Sequence, residues 1–296
     1  MKNYDLLDSG NLKKLEKFGE RVIVRPCMQA IWKPKLDEKI WKKADLIFER
    51  DTKNKWIHRK NKSLKHSKRE DFWTIDIEGI KLSLKLTDFG HIGFFPEHIF
   101  LCKKLAKLIQ DQNSPTCKLN VLNLFAYSGL VSLFALKNKA SVCHVDSSKP
   151  SILWAKENVE LNNFQDLNIR YILDDAIKFL KREVKRGSKY DVIVLDPPSF
   201  GRGAKGEIFK IEKDIVPLLE LSKKLLTKKK SFIIFSCHSP NFTKTTIKNL
   251  FESIFDIGGN LEIDELLLKS EKSYNLPSGY FSIWQKNENK YSDNLK

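Results

Sequence analysis

From Lys118 onward, short and nearly continuous apolar runs alternate with longer stretches of helical periodicity. This alternation constrains the fold more than any other feature of the chain. The runs are 119–124, 141–145, 169–173, 190–195 and 231–236. Between them lie LVSLFALKNKA, SSKPSILWAKENVELNN, DAIKFLKREVKRG and a long segment ending LLELSKKLLTKKK. Strands that read apolar throughout are buried on both faces, the situation of parallel strands covered by helices. Strand–helix alternation with right-handed crossovers then gives a doubly wound, Rossmann-like α/β sheet. Residues 1–115 are different: irregular, basic and aromatic, with alternation at WTIDIE and KLSLKL that predicts half-exposed strands. The sequence therefore divides into a smaller strand-rich N-terminal region, 1–115, and an α/β domain, 116–296.

Composition narrows the class of partner. The 296 residues carry 53 basic and 37 acidic side chains, a net charge of +16, which suits a polyanion such as nucleic acid. A lysine-rich composition spread over solvated faces would give the same total. The run Lys53–Arg69, KNKWIHRKNKSLKHSKR, holds eight Lys or Arg and no acid. Two readings stay open for it: a phosphate-contacting loop with Trp56 free to stack on a base, or an exposed linker between two lobes. The five cysteines are scattered with no CxxC pair, which argues against a disulfide framework or a zinc cluster. No apolar run approaches the ~20 residues that span a bilayer, and MKNYDLLDSG has no apolar leader core. The expectation is a cytoplasmic protein without membrane association.

In a doubly wound sheet, ligands bind at the carboxyl ends of the strands, near the point where strand order reverses. The first run ends in NLFAYSG, residues 123–129, a turn with one Gly that admits a ligand close to the backbone. It is not GxGxxG, so the usual pyrophosphate cradle is missing, and with it the reading as a nicotinamide oxidoreductase. The second run ends at Asp146, placed to accept ribose hydroxyls. The third ends in Asp174-Asp175-Ala176, with a carboxylate for an adenine amine. Any one such Asp is commonly just a helix N-cap, but three sites on successive strands form an adenosine-shaped set. The fourth run ends in Asp196-Pro197-Pro198-Ser199-Phe200. Proline fixes φ and removes N–H donors, so this segment holds a carbonyl rigidly beside the cleft, as methyl transfer to an oriented base requires. The GRGAKGE that follows reads as a lid or a plain mobile loop, with Arg202 and Lys205 as candidate phosphate contacts.

NLFAYSG, HVDSSKPSILWAKENVELNN, LDDAIKFL and VIVLDPPSFGRG resemble the class I S-adenosylmethionine-dependent methyltransferases. More narrowly, they resemble the branch that methylates bases of bacterial large-subunit ribosomal RNA. YDLLDSGNLKKLEKFGERVIVRP is similar to the N-terminal segment of that branch, and GHIGFFPEH to its motif ahead of the first strand. LPSGYFSIW is similar to its C-terminal strand pair, so the likeness covers essentially the whole chain. The resemblance implies S-adenosylmethionine as cofactor, RNA as partner, a capacity to form homodimers, and no metal. It assigns the methionine moiety to Asn123, Phe125, Tyr127 and Gly129, the ribose to Asp146, and the adenine amine to Asp175. Asp196 would lie beside the methyl group, Phe94 and Pro96 would shape the near wall, and Pro197, Pro198, Phe200 and Arg202 would face the substrate. His98 stands where relatives often have Gln and is left outside this set.

Cys237, after the fifth run, separates two chemistries. Methylation of cytosine C5 needs a thiolate to add at C6, and cytosine-C5 members of this branch place that Cys in a Ser-Cys context like Ser236-Cys237. Asp196 would then serve as proton acceptor or cytosine N3 partner. On extended backbone, neighbouring side chains alternate, so His238 is expected to point away from the cleft that Cys237 faces. The competing chemistry is methylation of a guanine nitrogen, which needs no Cys. A small buried hydrophobe is the ordinary fate of a free Cys. A non-catalytic RNA-binding assembly factor that kept the pocket is a further alternative.

Overall fold

The computed structural model describes residues 3–50, 54–59, 72–112, 114, 118–203, 206–228, 230–255 and 259–286. The chain forms two compact units. One comprises Met1–Ile99, Glu160–Asn162 and Leu267–Ser278; the other comprises Phe100–Val159, Asn163–Leu266 and Gly279–Lys296. The main segment of the first unit thus ends ahead of the change in sequence character near residue 115.

The first unit begins with β1 (Tyr4–Gly10), β2 (Lys13–Phe18) and β3 (Arg21–Pro26), followed by a short helix α1 (Glu38–Trp41) and strands β4 (Leu46–Glu49) and β5 (Lys55–His58). These five strands make one sheet in sequential order, antiparallel except where β3 meets β4. Strands β6 (Phe72–Ile77) and β7 (Ile80–Lys85) form a separate hairpin. They are the alternating stretches of the sequence: Ile75 pairs with Leu82 and Ile77 with Ile80, and all four side chains are buried. Trp56, in β5, donates its indole N–H to the Thr87 carbonyl at 2.8 Å and packs on Phe48 at 4.9 Å between ring centroids. Its ring is thereby committed to the unit rather than free to stack on a base. Most of the basic run around it lies outside the described residues.

Two buried carboxylates organise this unit. Asp8 accepts from the Leu36 and Ser9 amides at 2.8 and 2.9 Å, from the Trp41 indole at 3.0 Å and from the Ser273 hydroxyl. Glu16 on β2 accepts from Arg25 Nε at 2.8 Å, from Arg25 Nη2 at 3.0 Å and from the Tyr4 hydroxyl at 3.0 Å, with Lys14 Nζ at 3.1 Å.

The second unit, whose α2, α4, β15 and β16 each have a few end residues in the first, contains α2 (His98–Gln112), β8 (Asn120–Leu124), α3 (Leu130–Lys137), β9 (Ser141–Asp146), α4 (Lys149–Leu161), β10 (Ile169–Leu173), α5 (Ala176–Arg186) and β11 (Val192–Leu195). It continues with β12 (Phe200–Arg202), β13 (Ile208–Lys210), α6 (Ile211–Leu225), β14 (Phe232–Cys237), α7 (Lys244–Ile254), β15 (Gly259–Leu268) and β16 (Leu276–Lys286). The main sheet has the order β10-β9-β8-β11-β14-β16-β15. The five apolar runs are its five parallel strands, and β16 runs antiparallel to β14. Strands β11 and β14 are buried along their whole length, while β10, at the sheet edge, is only half-buried. Rings of Phe235, Phe251, Phe255 and Trp284 run in series through the core, with centroids 5.9, 5.3 and 4.6 Å apart. Among the described residues, no helix is long and apolar enough to cross a membrane.

Glu16 gives this fold a defined acid weakness. Burial alone would raise its carboxyl, but the Arg25 guanidinium and Lys14 ammonium outweigh burial and hold it at about 2, against 4.5 for an ordinary glutamate. A depressed carboxyl stabilises the fold fully above its unfolded value and loses that contribution as pH falls through the folded one. The stability difference between wild type and Glu16→Gln, read from denaturant midpoints, should be largest at neutral pH and shrink between pH 4.5 and about 2. A pH-independent difference would show that the charge of Glu16 contributes nothing.

Candidate functional site

Strand β8 is paired in parallel on both sides, with β9 and with β11. Its C-terminal end is therefore the switch point of the sheet, and the loop leaving it is built under strain. Phe125, Tyr127 and Gly129 have φ of 55°, 48° and 92°. Left-handed backbone costs a non-glycine residue of order 1–2 kcal/mol, so the surroundings must impose it. The Ala126 amide donates to the Val145 carbonyl at 3.1 Å, the Tyr127 amide to Asp146 Oδ2 at 2.8 Å, and Asn158 Nδ2 to the Ser128 carbonyl at 2.9 Å. At Gly129 a Cβ would lie 3.2 Å from that of Ala155, so both φ and the approach of α4 call for glycine. Asn123 lies underneath this loop. It is buried, and its amide donates to Ser132 Oγ at 3.0 Å, which in turn bonds His144 Nδ1 at 3.0 Å. Its visible role is to tie β8 to α3 and β9.

A cavity opens at the ends of these strands. Asp146, Asp175 and Phe125, expected at the cofactor, and Pro198 and Arg202, expected at the substrate, line it; Asn123, Tyr127, Gly129 and Asp196 are not among its lining residues. The carboxylate of Asp146 also accepts from the Ser148 amide at 2.8 Å. Burial pushes its carboxyl above the usual range, only partly offset by these backbone N–H groups. A carboxylate has about four acceptor positions, so capacity remains for hydroxyl donors from a ligand. Asp175 caps α5, with Oδ1 accepting from the Lys178 amide at 2.9 Å, which leaves Oδ2 for a ligand amine. The residue before it, Asp174, also lines the cavity and pairs with Arg182.

The far wall is one that sequence reasoning described only as a loop. Strands β12 and β13 form a small antiparallel hairpin that brings Gly201, Arg202, Gly203, Glu207 and Phe209 to the cavity. Phe209 meets Phe125 edge to face at 5.3 Å, and Glu207 Oε1 bridges Lys178 Nζ on α5 at 2.6 Å. The residues 204–205 at its tip, including Lys205, lie outside the described residues. The apolar signal for this wall was present in the spacing of Phe200 and Phe209, but only the pairing of Gly201 with Phe209 shows which of them faces inward. Phe209 is buried, whereas Phe200 is 51% exposed, with the Arg202 guanidinium 5.9 Å from its ring. The acid pair, the left-handed loop and the aromatic wall together fit an adenosine bearing a methionine chain. Phe94 and Pro96 belong to the other unit, so the described geometry of this cavity does not include them.

Beside the cavity, Asp196 is held from β14. Ser236 Oγ donates to Asp196 Oδ1 at 2.6 Å, and His238 Nε2 stands 3.4 Å from the same oxygen. The Ser199 and Ser239 hydroxyls bond at 2.7 Å and join the two strand ends. The side chains of Cys237 and His238 do alternate, but in the sense opposite to the expected one. Cys237 is 1% exposed within the core cluster that contains Ile193, Phe235 and Ile247. Burial pushes its thiol up. His238 takes the side of Asp196. The reason is strand alternation: Ile233, Phe235 and Cys237 share the face of β14 that packs in that cluster, whereas Ser236 and His238 share the face toward Asp196.

Three comparisons place the chain. Residues 106–254 match the model of a family described as conserved hypothetical protein 95. A crystal structure of an S-adenosylmethionine-dependent methyltransferase from Agrobacterium tumefaciens superposes with a TM-score of 0.88 at 33% identity, covering 96% of this chain and 91% of that one. The ribosomal RNA large subunit methyltransferase K/L of Vibrio cholerae is 32% identical over 166 residues, which is 55% of this chain and 22% of that protein. The equivalent protein of Colwellia psychrerythraea is 32% identical over 187 residues, 62% of this chain and 24% of the relative. The chain thus matches less than a quarter of the length of these curated relatives. The strand order, the strained loop over Asp146 and these matches lead to one assignment: the chain belongs to the conserved hypothetical protein 95 family, among the class I S-adenosylmethionine-dependent methyltransferases, with S-adenosylmethionine as its cofactor.

Proposed function

We propose that the chain methylates a base of large-subunit ribosomal RNA, at a guanine nitrogen and without a covalent enzyme–base adduct. The relatives named as ribosomal RNA methyltransferases and the net charge of +16 support the RNA substrate. The single observation that carries the noncovalent route is the placement of Cys237 and His238: the thiol is packed in the core, whereas the imidazole faces Asp196. When bound, the cofactor supplies an electrophilic sulfonium methyl group. Asp146 and Asp175 hold its ribose and adenine, and Phe125 and Phe209 exclude water from one side. Pro197 and Pro198 fix the backbone where the base is presented, and exposed Phe200 offers a face for it to stack on. Asp196 accepts a hydrogen bond from a base N–H and orients the neighbouring nitrogen lone pair toward the methyl. His238, within reach of Asp196, takes on the proton released after transfer.

Two outcomes test this reading. Asp146→Asn, which keeps an acceptor for the Tyr127 amide, should weaken S-adenosylmethionine binding by roughly 10- to 100-fold in a calorimetric titration, the worth of hydrogen bonds to a charged acceptor. Unaltered affinity would remove Asp146 from the ribose site. Label from S-adenosylmethionine, followed into total RNA and located by nucleoside mass spectrometry, should appear in a methylguanosine. Cys237→Ser should keep that transfer within a few-fold, while Asp196→Ala should lower it at least 100-fold. Label in 5-methylcytidine that disappears with Cys237→Ser would establish the thiolate route instead. Cofactor binding with no label in any nucleoside would leave an assembly factor.

A further inference from the structure

The first unit has a pocket of its own, which no step above uses. Lys14 and Arg25 are direct cross-strand partners on β2 and β3, and their side chains reach it from the sheet. Arg50, just past β4, and the segment Phe89–Glu97 close the other side. The charges do not cancel. Lys14 and Arg25 share the single carboxylate of Glu16, and Arg50 makes no ion pair among the described residues. Three cations against Glu16 and Glu97 leave one positive charge in excess, the charge that a single phosphodiester would balance.

The remaining features are those of a nucleotide site. Phe89 is displayed at the rim, 69% exposed, on a turn closed by the Gly90 amide donating to the Thr87 carbonyl at 3.0 Å. That turn is rigid. Gly90 has φ of 79°, its Cβ position is filled by the Phe48 ring, and its carbonyl accepts from Arg25 Nη1 at 3.0 Å. An exposed aromatic on a fixed turn beside free cations is the arrangement by which proteins stack an unpaired base and hold its phosphate. Glu97 adds a complementary acceptor: its Oε2 is buried and has no hydrogen-bond partner among the described residues. A buried carboxylate oxygen left unpaired costs on the order of 1–3 kcal/mol, a cost that a hydroxyl or amine donor from a ligand would relieve.

We propose that this pocket binds one unpaired nucleotide of the RNA substrate, its phosphate between Lys14 and Arg50, its base on Phe89, and a ribose hydroxyl or base amine on Glu97. The proposal rests on the RNA-substrate reading above and adds a second anchoring point on the same strand.

The test uses the full chain, a fluorescein-labelled single-stranded RNA decamer of mixed sequence, and the exposed substitutions Phe89→Ala and Arg50→Gln. Phe89→Ala should weaken binding roughly 5- to 150-fold, the loss of one stacked base. Arg50→Gln should weaken it and reduce the salt slope by about one contact. Cofactor affinity should be unchanged in both. RNA methylated by wild type with the same KM in both variants overturns the pocket and leaves the RNA reading standing. A decamer held through Phe89 and Arg50 by a protein that methylates no RNA overturns that reading and keeps the pocket.

Discussion

The central place of β8 in its sheet sets the geometry of everything at the cofactor edge. A strand paired on both sides in parallel must release its chain upward, out of the sheet, between the ends of β9 and β11. The chain then has five residues in which to turn into α3 while passing over Asp146. It does so by putting Phe125, Tyr127 and Gly129 into left-handed backbone. Asp146 holds that loop through the Tyr127 amide and faces the cavity with its remaining acceptor capacity. The same carboxylate therefore both stabilises the strained loop and lines the cavity, so the cavity is shaped by the strain beside it.

Charge plays the corresponding part in the first unit. The small sheet of β1, β2 and β3 buries charge beside its apolar side chains: Asp8 and Glu16 are as fully covered as Leu15, Phe18 and Ile23. Breaking a buried pair by removing one partner is far more costly than never having built it. The Glu16–Arg25 pair thus specifies how β2 and β3 register, because a slip by one residue would put both charges on the wrong face.

Much of this was legible in the sequence, for a definite reason. Buried parallel strands need apolar side chains on both faces, so β8, β9, β10, β11 and β14 stand out from their surroundings, and the acids that follow them stand at the strand ends. Asp146 and Asp175 could be found because position along a strand alone places them. What depends on pairing across the chain could not. The inward turn of Phe209 needs the hairpin register, and the core packing of Cys237 needs the knowledge of which face of β14 the helices cover. Asn123 sits in a motif that faces the cofactor in relatives, but its hydrogen bond to Ser132 depends on a helix nine residues later. In the first unit, the meeting of Lys14, Arg25, Arg50 and Glu97 joins four separate stretches of sequence, none of which carries a motif.

Asp175 lies where two requirements meet. Its side chain closes the first turn of α5 through the Lys178 amide and also lines the cavity. Asn or Ser at this position would preserve the cap but remove the negative charge; Glu would preserve the charge but reach past the amide it caps. Each substitution satisfies one demand and fails the other, so the number of residues a lineage can try here is smaller than either demand alone would set. Asp174, just before it, also lines the cavity and pairs with Arg182, but it is not the cap of α5. Two adjacent aspartates with nearly the same chemistry are thus expected to drift at different rates, because one helix begins at the second of them.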